Sequence, residues 1–260
     1  MDTPPMHNVV YMEKLYHINV AKEELEGSKY CLTCGDPGRV PHISKLLKNP
    51  KELTLNREFN VHLGYINDHP IIVSSMGMGC PSNAIGMEEF GQLGVDTFIR
   101  VGTSGIISDN VKIGDIVSAT GAIRDEGTSY QYIDGAFPAV ASVDVVLALR
   151  QAAKNLNLFS KFHEGIIHSK DAFYSEIPDM VPRLDMKSRW KMWKRGGALV
   201  TEMEASTMFV LAQIRNWRVG GIMAAIGDTN AGELIVDPKK GQMEAIEVGI
   251  EAIRILTENS

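Results

Sequence analysis

Cysteine is scarce in this chain, and so is positive charge. Three cysteines in 260 residues are too few, and an odd number, for a disulfide framework. Cys31 and Cys34 have the spacing of a redox or zinc pair, but no second pair of ligands stands at matching spacing. Cys31 falls on a predicted strand and Cys34 on the turn after it. No apolar run approaches membrane-spanning length, and no basic segment followed by an apolar one opens the chain. The expectation is therefore a cytoplasmic protein with no membrane partner. Lysine and arginine number 26 against 32 acidic residues, a net charge of −6, which excludes a general nucleic-acid binder. An anionic ligand would have to be met by local arginines. There is no internal repeat, low-complexity tract or linker, so one large domain spans 1–260. Phosphate-loop, dinucleotide, Ser-His-Asp and His-Glu-x-x-His signatures are all missing, which leaves no sequence support for a nucleotide cofactor or a catalytic metal.

What is present is an alternation of strands and helices. Residues 1–15, with Pro4 and Pro5, read as a loose arm. Tyr30–Thr33 is a short strand running into Gly-Asp-Pro-Gly-Arg (35–39), after which a helix is expected through Ile43, Leu46 and Leu47. Residues 57–66 alternate as a half-buried strand, and 71–75 form a more buried one. The glycine-rich turn 76–82 follows, with Ser82 placed as the N-cap of a helix through Ile85, Phe90 and Leu93. Further strands are expected at 98–101, 116–119, 166–169 and 222–226. Amphipathic helices are expected around 145–156, 203–214 and 245–255. The basic, tryptophan-bearing stretch 183–195 reads as a surface helix with its aromatics turned inward. This alternation implies an α/β fold with a mostly parallel or mixed sheet covered on both faces.

Chemistry concentrates in a few places. Arg100 stands at the predicted exit of a hydrophobic strand, followed by Gly102, Thr103, Ser104 and Gly105. A guanidinium fork, hydroxyl donors and pliant backbone make a seat for an oxyanion, although an Arg paired with a carboxylate at a strand end fits the same residues. Glu202 and Glu204 flank Met203 and, if extended, point the same way. They suit acid–base work or the grip of vicinal hydroxyls, or simply a helix's first turn. Asp228, in Gly-Asp-Thr-Asn, is either a ligand-side carboxylate at a strand end or a turn residue. With Arg39 and Arg57 near other glycine turns, the set suggests phosphate at one end and a hydroxylated ligand at the other.

These motifs together resemble the nucleoside phosphorylase family, and within it the uridine phosphorylase branch. The resemblance runs from about His17 to the last helix. It rests on Gly-Asp-Pro-Gly-Arg (35–39), Arg-Glu-Phe (57–59), Gly-Met-Gly-Cys-Pro-Ser (77–82), Phe-Ile-Arg-Val-Gly-Thr-Ser-Gly (98–105) and Glu-Met-Glu-Ala (202–205). It implies a single α/β domain with a central mixed, barrel-like sheet, assembled as a dimer or as a hexamer built from dimers. It also implies reversible phosphorolysis of a nucleoside to free base and pentose 1-phosphate, with phosphate as co-substrate. Carried over by motif, Gly35, Arg39, Arg100 and Thr103 bind phosphate, with Arg57 supplied by a neighbouring subunit. Met203 and Glu204 hold the ribose, and a neighbour's His17 approaches its 5′-hydroxyl. Ser104, Gly105, Phe173 and Glu176 face the base. No organic cofactor is implied, but a monovalent cation such as potassium is placed near Glu58. The chain departs from the pattern where uracil is read. Relatives use a glutamine and an arginine after the Phe-Tyr pair; here Glu176 stands near the glutamine's place and no arginine occurs before Arg183. Ala225-Ile-Gly-Asp228 resembles instead the strand end at which purine nucleoside phosphorylases carry a general acid. Uridine phosphorolysis is therefore the primary expectation, and purine phosphorolysis with Asp228 as acid the alternative. A hydrolytic nucleosidase or a non-catalytic nucleoside-binding protein are the remaining readings.

Overall fold

The computed structural model describes residues 14–228 and 235–258. The predicted N-terminal arm lies almost wholly outside that span. Eleven strands form one sheet. They are β1 (Tyr30–Cys34), β2 (Lys48–Asn56), β3 (Phe59–Ile66), β4 (His69–Ser75), β5 (Thr97–Ile106), β6 (Ile116–Asp125), β7 (Ala139–Val140), β8 (Phe162–Lys170), β9 (Val200–Glu202), β10 (Arg218–Asp228) and β11 (Ile235–Val236). The helices are α1 (Val40–Ser44), α2 (Cys80–Leu93), α3 (Thr128–Tyr132), α4 (Val143–Asn155), α5 (Met186–Arg195), α6 (Ala205–Arg215) and α7 (Gln242–Glu258).

Strands β5, β9, β8, β6 and β10 close on themselves into a mixed five-strand barrel, with β5–β10, β8–β9 and β6–β8 parallel and the other two pairings antiparallel. β1 leaves this ring from the first half of β5 and carries β4, β3 and β2 outward. Apolar side chains fill both faces. One core joins Phe59, Phe98, Phe90, Met208 and Phe209 and so binds α2 and α6 to the sheet. The other joins Leu32, Ile99, Val101, Ile43, Leu149 and Ile253 and holds α1, α4 and α7. Successive residues of a strand face opposite sides, so Phe98 and Ile99 fall into different cores and Arg100 follows Phe98.

The structure corrects several local expectations. β5 does not end at Val101: its pairing with β10 continues through Asp228↔Ile106, so Gly102 and Gly105 lie within a strand. β1 pairs with β5 only as far as Arg100, and β9 joins it from Gly105. The flank of β5 between those residues lacks both neighbours, and there the sheet splits open. β3 is buried on both faces because α1 covers its polar side, where His62 Nδ1 and Ser44 Oγ lie 2.8 Å apart. α1 itself stops at Ser44, which leaves Leu46 exposed. Ser82 is not a helix cap. Gly79 holds that position, and the Ser82 hydroxyl donates to Glu58 and to the Met76 carbonyl. Cys34 is the last residue of β1. Burial pushes its thiol up to about 12 and raises that of Cys31 well above its ordinary value, so this pair has no reactive thiolate.

Candidate active site

A cavity of about 550 Å³ opens at the split flank of β5. Of the sequence-predicted residues, Gly35, Arg39, Glu58, Arg100, Thr103, Ser104, Gly105, Phe173, Glu176, Met203 and Glu204 line it. Two stretches that are over 100 residues apart in sequence, β5 and the β9–α6 junction, thus face each other across one space.

At its centre lies Arg100, 4% exposed. Its Nε donates to Glu202 at 3.0 Å and its Nη2 donates to Glu204. Nη1 is buried with no hydrogen-bond partner among the described residues, a donor left over for an anion. Glu202 has a different task from the one its spacing suggests. It accepts from the backbone N–H groups of Glu204 and Ala205 at 2.9 and 3.0 Å, and from Ser169 Oγ. These contacts cap the N-terminus of α6 and satisfy donors the helix cannot. Glu202 therefore fixes Arg100 rather than facing a ligand alone. Glu204 Oε1 accepts from the Gly79 N–H at 2.6 Å. Burial pushes its carboxyl above the usual range, and the Arg100 guanidinium opposes that shift. Gly77 and Gly79 reach this contact with φ of +70° and +94°, the left-handed region that glycine tolerates. Gly102 leaves room for the guanidinium, since a Cβ there would stand 3.1 Å from Arg100 Nη2.

The opposite wall is built by β8 and the turn after it. Lys170, the last residue of β8, is buried and donates to Glu176 Oε1 at 2.6 Å and to Thr201 Oγ1 at 2.9 Å. Its ammonium stands 5.8 Å from the Phe173 ring centroid. Lys170 and Thr201 were not legible as site residues from spacing alone; only the pairing of β8 with β9 brings them beside Glu176. Arg183 is exposed and paired with Asp185, away from this wall. The predicted inward aromatics of α5 are present. Trp190 donates to the Ser175 carbonyl at 2.7 Å, and its ring and that of Trp193 lie 5.2 and 5.7 Å from the His168 ring.

Three predicted residues lie elsewhere. Arg57 is exposed at the β2–β3 turn with its Nη2 donating to Tyr16 Oη at 3.1 Å, and His17 Nδ1 stands 2.5 Å from Glu89 Oε1. Neither lines the chain's own cavity, but both stand near Glu58; against burial, the backbone and Ser82 hold its carboxyl low, and Arg57 and His17 lower it by smaller amounts. Asp228 ends β10, paired with Ile235 and Ile106. Ile226 and Gly227 of the same strand line the cavity and Asp228 is not among the lining residues. Among the described residues no group of three His, Cys, Asp or Glu side chains converges to hold a metal. Glu58 Oε1 and the Met76 carbonyl both lie within hydrogen-bond reach of the Ser82 hydroxyl, and these are the oxygens this chain would offer a monovalent cation.

Comparison with known proteins agrees with this geometry. A family model described as the phosphorylase superfamily matches residues 29–256. The chain is 40% identical over 247 residues to a uridine phosphorylase of Thermococcus kodakarensis, covering 94% of this chain and 87% of that one. It is 36% identical to a uridine phosphorylase of Treponema pallidum, covering 93% of each. It is 34% identical to a guanosine phosphorylase of Halorubrum lacusprofundi, covering 94% of this chain and all of that one. With a continuous match over nearly its whole length and a single cavity gathering the motifs of that family, the chain belongs to the phosphorylase superfamily.

Proposed function

We propose that this protein catalyses the reversible phosphorolysis of uridine, giving uracil and ribose 1-phosphate. The observation that carries this reading is the gathering of these groups in one cavity. Gly35, Arg39, Thr103 and the unpartnered Nη1 of Arg100 suit phosphate, Met203 and Glu204 suit the ribose, and Phe173 with Glu176 suits the base. The naming of 40% and 36% identical relatives as uridine phosphorylases supports the same substrate. Glycosidic cleavage develops positive charge on the sugar, and a phosphate oriented below it both offsets that charge and attacks C1′. Arg39 and Arg100 would neutralise and aim the phosphate, with Glu202 holding Arg100 in place. Glu204 would accept from the ribose hydroxyls, whose hold on the sugar fixes C1′ against the nucleophile.

His17 and Arg57 would act across a subunit boundary, each completing the cavity of a second copy in a dimer or in a hexamer built from dimers. Their absence from the lining of their own cavity supports this. The three free, buried cysteines suit a reducing, cytoplasmic setting. Phosphate is the co-substrate and no organic cofactor enters the reaction. The guanosine phosphorylase among the relatives keeps a purine activity, with Asp228 as its acid, as the second reading.

The test is phosphate-dependent base release from uridine, with guanosine as comparison and a phosphate-free control. Uridine cleavage that stops without phosphate is the expected result. Release that continues unchanged without phosphate would establish a hydrolase instead.

A further inference from the structure

The wall formed by β8 holds a buried ion pair whose lysine the chemistry above does not use. Lys170 and Glu176 side chains are 3% and 8% exposed and bond at 2.6 Å. Burying such a pair is rarely worth its desolvation as a source of stability, so its position on the cavity surface calls for another reason. An ammonium has three donors. Two are taken by Glu176 Oε1 and Thr201 Oγ1, which leaves a third on a residue that lines the cavity. Glu176 Oε2 lies over Gly105, 3.1 Å from where a Cβ would stand, so only glycine leaves this oxygen clear. Phe173 offers a ring face to the ammonium.

The pair is also held in place. Thr201 Oγ1 accepts from Lys170 and lies 3.0 Å from His168 Nδ1, while His168 Nε2 lies 3.1 Å from Asp125. With Nε2–H facing the carboxylate, Nδ1 accepts the Thr201 proton, and the hydroxyl keeps its lone pairs for the ammonium. Trp190 bonds the Ser175 carbonyl and so pins the short turn Phe173–Glu176 that carries the carboxylate.

We propose that Lys170 and Glu176 read the base through one edge, the ammonium donating to a ring carbonyl and the carboxylate accepting from the N–H beside it. This rests on the phosphorolytic reading and names its substrate class: bases with a lactam edge, as in uracil, thymine and the 6-oxopurines. Cytosine and adenine present an amino group and a bare ring nitrogen there, and would leave the ammonium and the carboxylate facing the wrong partners. The pair also serves the bond-breaking step. As C1′–N1 breaks, its electron pair leaves with the base and spreads to the carbonyl oxygens, where Lys170 stabilises it. Phosphate oxygen forms the new bond to C1′, and the proton it loses reaches the base nitrogen through solvent.

The experiment compares uridine with cytidine as substrates, and uracil with cytosine as ligands by calorimetry, in wild type, Lys170→Met, Lys170→Arg and Glu176→Gln. In Lys170→Met, uracil affinity and uridine kcat/KM should fall roughly 10- to 100-fold, the worth of a charge-assisted hydrogen bond. The phosphate KM should hold. Lys170→Arg should recover part of the loss. Glu176→Gln, whose amide can turn either way, should narrow the uridine-to-cytidine ratio. An unchanged uracil-to-cytosine ratio in both Lys170→Met and Glu176→Gln would overturn the proposal, as would a parallel rise in phosphate KM. Wild type that binds uracil over cytosine yet cleaves no nucleoside would instead refute the phosphorolytic reading and leave the base reader standing.

Discussion

Arg100 neutralises two carboxylates at once, and the two are held by different partners. Glu202 is bonded to the backbone of α6 and to Ser169, whereas Glu204 has the Gly79 N–H. Substitutions should therefore separate their roles. Glu204→Gln keeps an acceptor for Gly79 but loses the charge offered to the sugar. Nucleoside kcat/KM should fall by about 1.5–3 kcal/mol in transition-state terms, with phosphate KM little changed. Glu202→Gln should do the reverse, because a loosened Arg100 misplaces the phosphate; phosphate titration of initial rates measures it. Arg100→Ala strands both carboxylates and should cost about 3–5 kcal/mol of stability by urea denaturation. It should also remove about 100- to 1000-fold of the phosphate-dependent rate. Full activity in Arg100→Ala would refute its role. The sequence made Arg100 and Glu204 visible as a cation and a carboxylate beside glycines. It gave no means of telling Glu202 from Glu204, because that difference lies in the strand-end hydrogen bonds of Ser169 and α6.

At the scale of an element, the turn Gly77-Met78-Gly79 sets the start of α2 and the hold on Glu204. A Cβ on Gly77 would stand 2.9 Å from Glu58 Cγ and from Ser82 Oγ, in a backbone region where side chains are strained. Gly77→Ala should cost about 1–3 kcal/mol of stability and raise the nucleoside KM through the displaced Gly79 N–H. Thermal denaturation beside substrate titration checks both, and a wild-type KM with lowered stability would confine the turn to folding. The glycine cluster announced this turn correctly, since few other residues accept the positive φ of Gly77 and Gly79. Ser82 misled as a cap because its hydroxyl turns back to the Met76 carbonyl of the same turn and to Glu58, a residue from a separate predicted strand. β2 went unseen: Lys48–Asn56 is mostly exposed and lacks the apolar alternation that marks a strand. β5 outran its prediction because parallel pairing with β10, 121 residues away at Arg218↔Thr97, holds glycines extended.

For the molecule as a whole, the order of strands and helices was legible, but ring closure and its consequences were not. Joining β8 to β9 builds the chain of polar contacts from Asp125 through His168 and Thr201 to Lys170, and that chain should make stability depend on pH. Burial pushes the His168 imidazole below its ordinary value. The unfolded chain thus takes up that proton first, so the stability is full above about pH 6.5 and declines as the pH falls below it. His62, also lowered by burial, adds to the same slope. Asp125 acts further down. Its bond to His168, with Arg189 beside it, holds the carboxyl at about 2. Its contribution is therefore complete above about pH 4, the ordinary carboxylate value, and is lost as the pH falls toward 2. Melting temperatures between pH 7 and pH 5 should fall in wild type and fall less in His168→Gln, with His62 supplying the remaining slope. Below pH 4 the wild type should lose stability again as Asp125 takes up its proton. An identical slope in His168→Gln between pH 7 and pH 5 would mean that the imidazole titrates in the folded protein as it does in the unfolded chain. The contacts that hold Lys170 would then survive its protonation.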